Sequence, residues 1–64
     1  MTQQFLVNNQ PAFKIYARQI KELDKAILFD CEGDFVWLPK STIKIVDSQT
    51  ILIQEWIYKI KFKQ

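Results

Sequence analysis

Residues 26–39 carry the clearest structural signal in the chain and read AILFDCEGDFVWLP. Two unbroken apolar runs, 26–29 and 35–38, flank a polar segment that contains Gly33, the only glycine of the sequence. Glycine adopts positive φ without steric cost, so the pattern predicts a β-hairpin that turns at Glu32-Gly33. Pro39 cannot donate to a β-ladder and should end the second strand. Apolar runs without alternation are typical of strands covered on both faces, so we expect Trp37 to be a buried structural anchor.

The segments on either side of this hairpin alternate apolar and polar residues with a period of two. This alternation predicts β-strands. Together with the hairpin strands at 25–31 and 34–38, the predicted strands lie near 13–22, 42–46 and 50–53. The turns between them are expected at 8–11, 22–25 and 47–49, where Asn, Asp, Pro and Ser collect.

The two ends of the chain each leave two interpretations open. Apolar residues at 53, 56, 57 and 60 follow helical spacing and predict a short helix over 54–61, although 56–63 also alternates like a strand with lysines on one side. We favour the helix, because Glu55 lies in its first turn and lysines lie in its last. Residues 5–7 form either an edge strand or part of a loose N-terminal arm over 1–12.

These elements predict one small domain over residues 1–64 of mainly β structure. We expect a five-stranded antiparallel sheet, or a barrel of the SH3 or OB type, with a short C-terminal helix. A chain of 64 residues and 7.7 kDa buries a limited core. It has one cysteine and no histidine, so neither an internal disulfide nor a Cys/His zinc site can support that core.

The residues that could carry catalysis lack the partners that chemistry requires. Cys31 has no histidine to act as its base, and the acids beside it raise the pKa of a thiol. The carboxylates at 30, 32 and 34 superficially resemble a calcium loop, but the glycine stands at position four instead of six and Ser41 occupies position twelve. We therefore expect no enzyme activity and no cofactor or metal, and we interpret the acids as a solvated turn.

Aromatic and cationic side chains are the remaining material for a binding surface. Tyr16 lies between Lys14 and Arg18, an arrangement in which bases could stack and phosphates could pair. The alternative function is therefore a small β-barrel that binds single-stranded nucleic acid. Its candidate contacts are Lys14, Tyr16, Arg18, Lys40, Lys59, Lys61 and Lys63.

Self-association is expected because nine aromatic residues and nine isoleucines are many for one small barrel to enclose. The surplus should form an apolar patch near the two ends of the chain, and two copies should pair through it. The predicted interface consists of Phe5, Leu6, Ile57, Ile60 and Phe62.

A net charge of +2 is too small for a dedicated duplex-binding protein.

Residues 25–56 resemble small proteins of phages and mobile elements. The shared motif is A-x-L-F at 26–29, then V-W-L-P-K-S-x-I at 36–43, then P-E-W-L, for which this chain has Gln54-Glu-Trp-Ile. The resemblance implies a viral or mobile-element origin and a compact β fold, and it brings no activity with it. We therefore expect a non-catalytic binding protein that acts on a host or phage protein, as an inhibitor of a host defence system or as a replication accessory. The absence of a signal peptide pattern and of a long apolar run, with a single unpaired cysteine, predicts the cytoplasm and no membrane association.

Overall fold

The computed structural model describes residues 4–62 and contains seven β-strands and one α-helix. The strands are β1 (Phe5–Val7), β2 (Gln10–Tyr16), β3 (Arg18–Glu22), β4 (Ala26–Cys31), β5 (Asp34–Pro39), β6 (Ile43–Asp47) and β7 (Thr50–Gln54), and the helix is α1 (Glu55–Lys61). A single 3₁₀ turn over Lys40–Thr42 joins β5 to β6. This mainly β architecture with a C-terminal helix confirms the predicted fold class. The edge-strand interpretation of residues 5–7 and the helical interpretation of 54–61 are also confirmed.

The strands form two antiparallel sheets. Sheet A has the order β1-β2-β7-β6, and sheet B has the order β3-β4-β5. In the part of the chain that the structure describes, no ladder joins β5 to β6, and one of the two sheets curls into a half-barrel. Within the same residues no helix combines the length and apolar character needed to cross a membrane.

The long strand predicted over 13–22 is divided at Ala17. Residues before Ala17 pair with β7, and residues after it pair with β4. The Ala17 side chain is buried in the core, and its N–H donates to the carbonyl of Gln49 at 2.9 Å instead of joining either ladder. A small side chain lets the backbone bend here, so one segment of chain contributes to both sheets.

Two hairpin turns use positive backbone φ at both central residues. Asn8 and Asn9 have φ of 50° and 64°, and Glu32 and Gly33 have φ of 56° and 97°. Asparagine and glycine tolerate this region best, which explains why these turns connect β1 to β2 and β4 to β5 with two residues each. The predicted hairpin at 26–39 is therefore confirmed, with Ala26 opposite Pro39 and Cys31 opposite Asp34.

The main core lies between the two sheets and is closed by the helix. Its largest fully buried side chains are Phe29, Leu38, Ile51 and Ile53. The helix inserts Ile57 into this core, and the rings of Tyr58 and Phe13 pack in a T-shaped arrangement with centroids 5.2 Å apart. A second, smaller cluster on the outer face of sheet A joins Val7, Ala12 and Leu52, with Phe5 packed against it.

Candidate protein-binding surface

Sheet B presents an apolar outer face that nothing in the described chain covers. Alternation along β4 and β5 directs Phe29 and Leu38 into the core, so Leu28, Phe35 and Trp37 point outward. Trp37 lies opposite Leu28 in the ladder, and Phe35 lies two residues away on the same strand. Phe35 is 65% exposed and Trp37 is 39% exposed. We call these three residues the aromatic face.

The expectation that Trp37 is a buried anchor is therefore wrong. The apolar run at 35–38 indicated coverage on both faces, but the structure covers only the face that carries Val36 and Leu38. Because side chains alternate between the two faces of a strand, Phe35 and Trp37 must lie on the same face of β5. The sequence therefore predicts that these two rings are either both buried or both exposed. A continuous apolar run gives no indication of which face is solvated.

Charged side chains border the aromatic face along β3. Arg18 lies opposite Asp30 and donates to its carboxylate at 3.3 Å. Lys21 lies opposite Leu28 in the same ladder. At the far end of the sheet Lys40 forms an ion pair with Glu22, and this hydrogen bond and charge lower the pKa of the Glu22 carboxyl. Apolar side chains inside a charged border are the usual composition of a contact surface between proteins.

A groove of about 940 Å³ lies between the tip of the β4–β5 hairpin and the end of the helix. Glu32 and Asp34 stand on the hairpin wall, and Lys61 stands on the helix wall. Tyr58 and Phe62 line the helix side with their rings stacked, 4.7 Å between centroids. Tyr16 and Phe35 also line the groove, so the groove shares Phe35 with the aromatic face.

One of the acidic residues at the tip of the β4–β5 hairpin, Asp30, has a structural role in the turn. The N–H of Gly33 donates to Oδ1 of Asp30 at 2.8 Å, which stabilises the turn. Among residues 4–62 no three Cys, Asp or Glu side chains converge in a way that could hold a metal ion.

Cys31 lines this groove with a buried, free thiol. Burial is the largest cause, and together with the neighbouring carboxylates of Asp30, Asp34 and Glu32 it raises the pKa of the Cys31 thiol to about 11. Because only the thiolate is nucleophilic, this environment suppresses reactivity at neutral pH. The geometry gives Cys31 a packing role.

The five residues predicted as a dimer interface occupy different environments. Ile57 is 6% exposed and belongs to the main core, so its assignment to an interface is wrong: its position on the helix faces the sheets. Phe5 and Phe62 are half-buried, the first against the small cluster on sheet A and the second against the main core. Leu6 and Ile60 are exposed, and they remain available to a partner.

The structure brings some of the predicted nucleic-acid contacts together and separates others. Lys14, Tyr16 and Arg18 point outward in succession along the bend from β2 to β3, with Tyr16 exposed. Lys61 shares the groove with Tyr16. Lys40 lies at the opposite end of sheet B in its ion pair with Glu22. Lys59 is exposed on the helix, and Lys63 lies outside the described residues.

Comparison of the chain with protein-family models, with curated proteins and with solved structures finds no match. The resemblance of residues 25–56 to phage and mobile-element proteins therefore stays a prediction.

Proposed function

We propose that this protein is a non-catalytic binding protein that acts by occupying a surface of another protein. The observation that carries the proposal is the aromatic face, where three large apolar side chains share one solvated side of a sheet. Large exposed apolar patches are rare on proteins that have no partner, and tryptophan is enriched among the residues that dominate binding energy. Inhibition of a host defence system and assistance to a replication enzyme are the two concrete roles we propose, both on the basis of the sequence resemblance.

We propose that the protein acts in the host cytoplasm. A free cysteine in a small domain that lacks disulfides suits a reducing compartment. We also propose that the protein forms a homodimer, because a chain of this size gains stability from additional burial.

Affinity capture from a bacterial lysate tests the aromatic face if it is done with matched variants. Trp37→Ser and Phe35→Ser each remove an exposed ring from sheet B, whereas Leu6→Ser removes an exposed apolar side chain from sheet A. We expect one protein to be captured by the wild type and by Leu6→Ser and to be lost with both sheet B variants. Equal capture by all four proteins, each verified as folded by circular dichroism, contradicts the proposal.

A single-stranded nucleic acid is the second candidate partner. The observation in its favour is that Lys14, Tyr16 and Arg18 point outward in succession along the bend from β2 to β3. Fluorescence anisotropy with a labelled oligonucleotide tests it, since phosphate contacts make affinity fall steeply as salt rises. Binding that weakens with salt and is lost in Tyr16→Ser supports this function over the first. Absence of binding at low salt eliminates it.

A further inference from the structure

The groove between the hairpin tip and the helix has walls of opposite charge. Glu32 and Asp34 stand on one wall and Lys61 on the other. Within residues 4–62 the ion pairs are Arg18 with Asp30 and Lys40 with Glu22, so all three groove charges are unpaired there. The groove lining therefore carries negative charge from the hairpin and positive charge from the helix, and neither is paired within residues 4–62.

Four aromatic side chains line the same groove. Tyr58 and Phe62 stack on the helix side, and Tyr16 and Phe35 are exposed. Aromatic rings of this kind contribute most when they are desolvated between well-packed surfaces. An occupant that covers them must also meet both the acidic and the basic wall.

We propose that a second copy of the chain occupies this groove about a two-fold axis, with Lys61 of each copy against Glu32 and Asp34 of the other. A two-fold axis presents the same patch from both copies, so a patch with opposite charges on its two sides is complementary to itself. A basic peptide would pair with Glu32 and Asp34 but would be repelled by Lys61. An acidic peptide would pair with Lys61 but would be repelled by the two carboxylates. A net charge of +2 also leaves little repulsion between copies.

This inference rests on the homodimer of the proposed function and identifies the surface through which it forms. The residues of this surface differ from those predicted from the sequence. Of that predicted set only Phe62 lines the groove. Phe35 of the aromatic face also lines the groove, whereas Trp37 and Leu28 lie outside it, so a dimer can still present Trp37 and Leu28 to another protein.

Sedimentation equilibrium of the full chain over a range of micromolar concentrations provides the test. We expect a monomer–dimer equilibrium that weakens with added salt, because the pairs across the axis are charged. Lys61→Glu and the double variant Glu32→Lys/Asp34→Lys should each raise the dissociation constant at least about tenfold. Combining all three substitutions should restore the dimer, since the walls then carry exchanged charges.

Lys59→Glu is the matched control, because it makes the same charge change on the same helix outside the groove. It should leave the dissociation constant within a factor of about two. A monomer at every concentration, equal effects of Lys59→Glu and Lys61→Glu, or no rescue by the combined variant overturns the inference. Capture of a foreign protein that is lost in the groove variants of a monomeric chain also overturns it.

The two proposals fail separately. Loss of capture in Trp37→Ser with an intact dimer supports the aromatic face whatever the groove does. A dimer that responds to the groove variants while no protein is captured supports the interface and removes the proposed binding function.

Discussion

Trp37 and Leu38 are neighbours in β5 whose side chains meet opposite environments. Leu38 is fully buried between the sheets, whereas Trp37 lies on the outer face. Leu38→Ala should therefore lower the free energy of unfolding by about 2–5 kcal/mol, through lost burial and the cavity it leaves. Trp37→Ala should lower it by only about 1 kcal/mol. Urea denaturation of the two variants checks the difference, and a larger loss for Trp37→Ala would show that this side chain is covered in solution.

The Cys31 thiol predicts a loss of stability at alkaline pH. Its pKa is raised from 9.0 to about 11 in the folded protein, chiefly by burial. Below pH 9 the thiol is neutral in both states, and its contribution to stability is fully present. As pH rises towards 11 the unfolded state loses its proton first, so the contribution disappears over this interval.

Thermal unfolding of the wild type and of Cys31→Ala at a series of pH values measures this effect. Ionisation of tyrosines and lysines affects both proteins alike, so the difference between their melting temperatures isolates Cys31. That difference should shrink from pH 9 towards pH 11. A constant difference would place the thiol in an environment no more apolar than that of the unfolded chain.

At the scale of elements, Gln54 connects the end of β7 to two other parts of the fold. Its buried side chain donates through Nε2 to the carbonyl of Val7 in β1 at 2.8 Å. Its Oε1 accepts from Nε1 of Trp56 in the first turn of the helix at 2.5 Å. Glutamine at this position therefore supplies one hydrogen bond to the edge strand and one to the helix.

Replacing Gln54 should release both connections. We expect Gln54→Ala to lower the free energy of unfolding by about 1–3 kcal/mol, because it leaves buried groups without partners. Trp56→Phe removes only the helix contact and should cost about half as much. Amide hydrogen exchange should also quicken in β1 for Gln54→Ala but not for Trp56→Phe. Unchanged exchange in β1 would show that its ladder with β2 suffices to hold it.

Some elements could be predicted from the sequence because their signals are local. Gly33 marks the hairpin turn, Pro39 ends β5, and Glu55 with the terminal lysines indicates the helix. The division of β2 from β3 could not be predicted, since it depends on the carbonyl of Gln49 meeting Ala17 from a distant turn. The outward position of Trp37 and the burial of Ile57 likewise depend on which faces meet in three dimensions.

At the scale of the whole molecule, the two sheets form one cooperative unit, joined by the bend at Ala17 between β2 and β3 and by a common core. Ile51 and Ile53 of sheet A lie in the same core as Phe29 and Leu38 of sheet B. Neither sheet keeps its apolar face covered without the other, so we expect both to unfold together.

The two tryptophans make this cooperativity measurable. Trp37 reports on sheet B, and Trp56 reports on the helix beside sheet A. In Trp56→Phe and in Trp37→Phe, the fluorescence transition should coincide with the circular dichroism transition of the same variant. A fluorescence midpoint that departs from the circular dichroism midpoint in either variant would reveal a state in which one sheet survives alone.

The sheet order has a consequence for the time course of folding. Strands β3, β4 and β5 follow one another and pair only with sequence neighbours, whereas β2 must find β7, with Ala12 opposite Gln54 near the other end of the chain. Closing the longer loop costs more chain entropy and slows contact formation. The three-stranded sheet of β3, β4 and β5 should therefore form first. Substitutions in the β4–β5 hairpin should then slow folding, whereas substitutions in β7 should mainly accelerate unfolding. On a ribosome, the rings of Phe35 and Trp37 would leave the exit tunnel before β7, the strand that joins β2 to β6 in sheet A, has emerged.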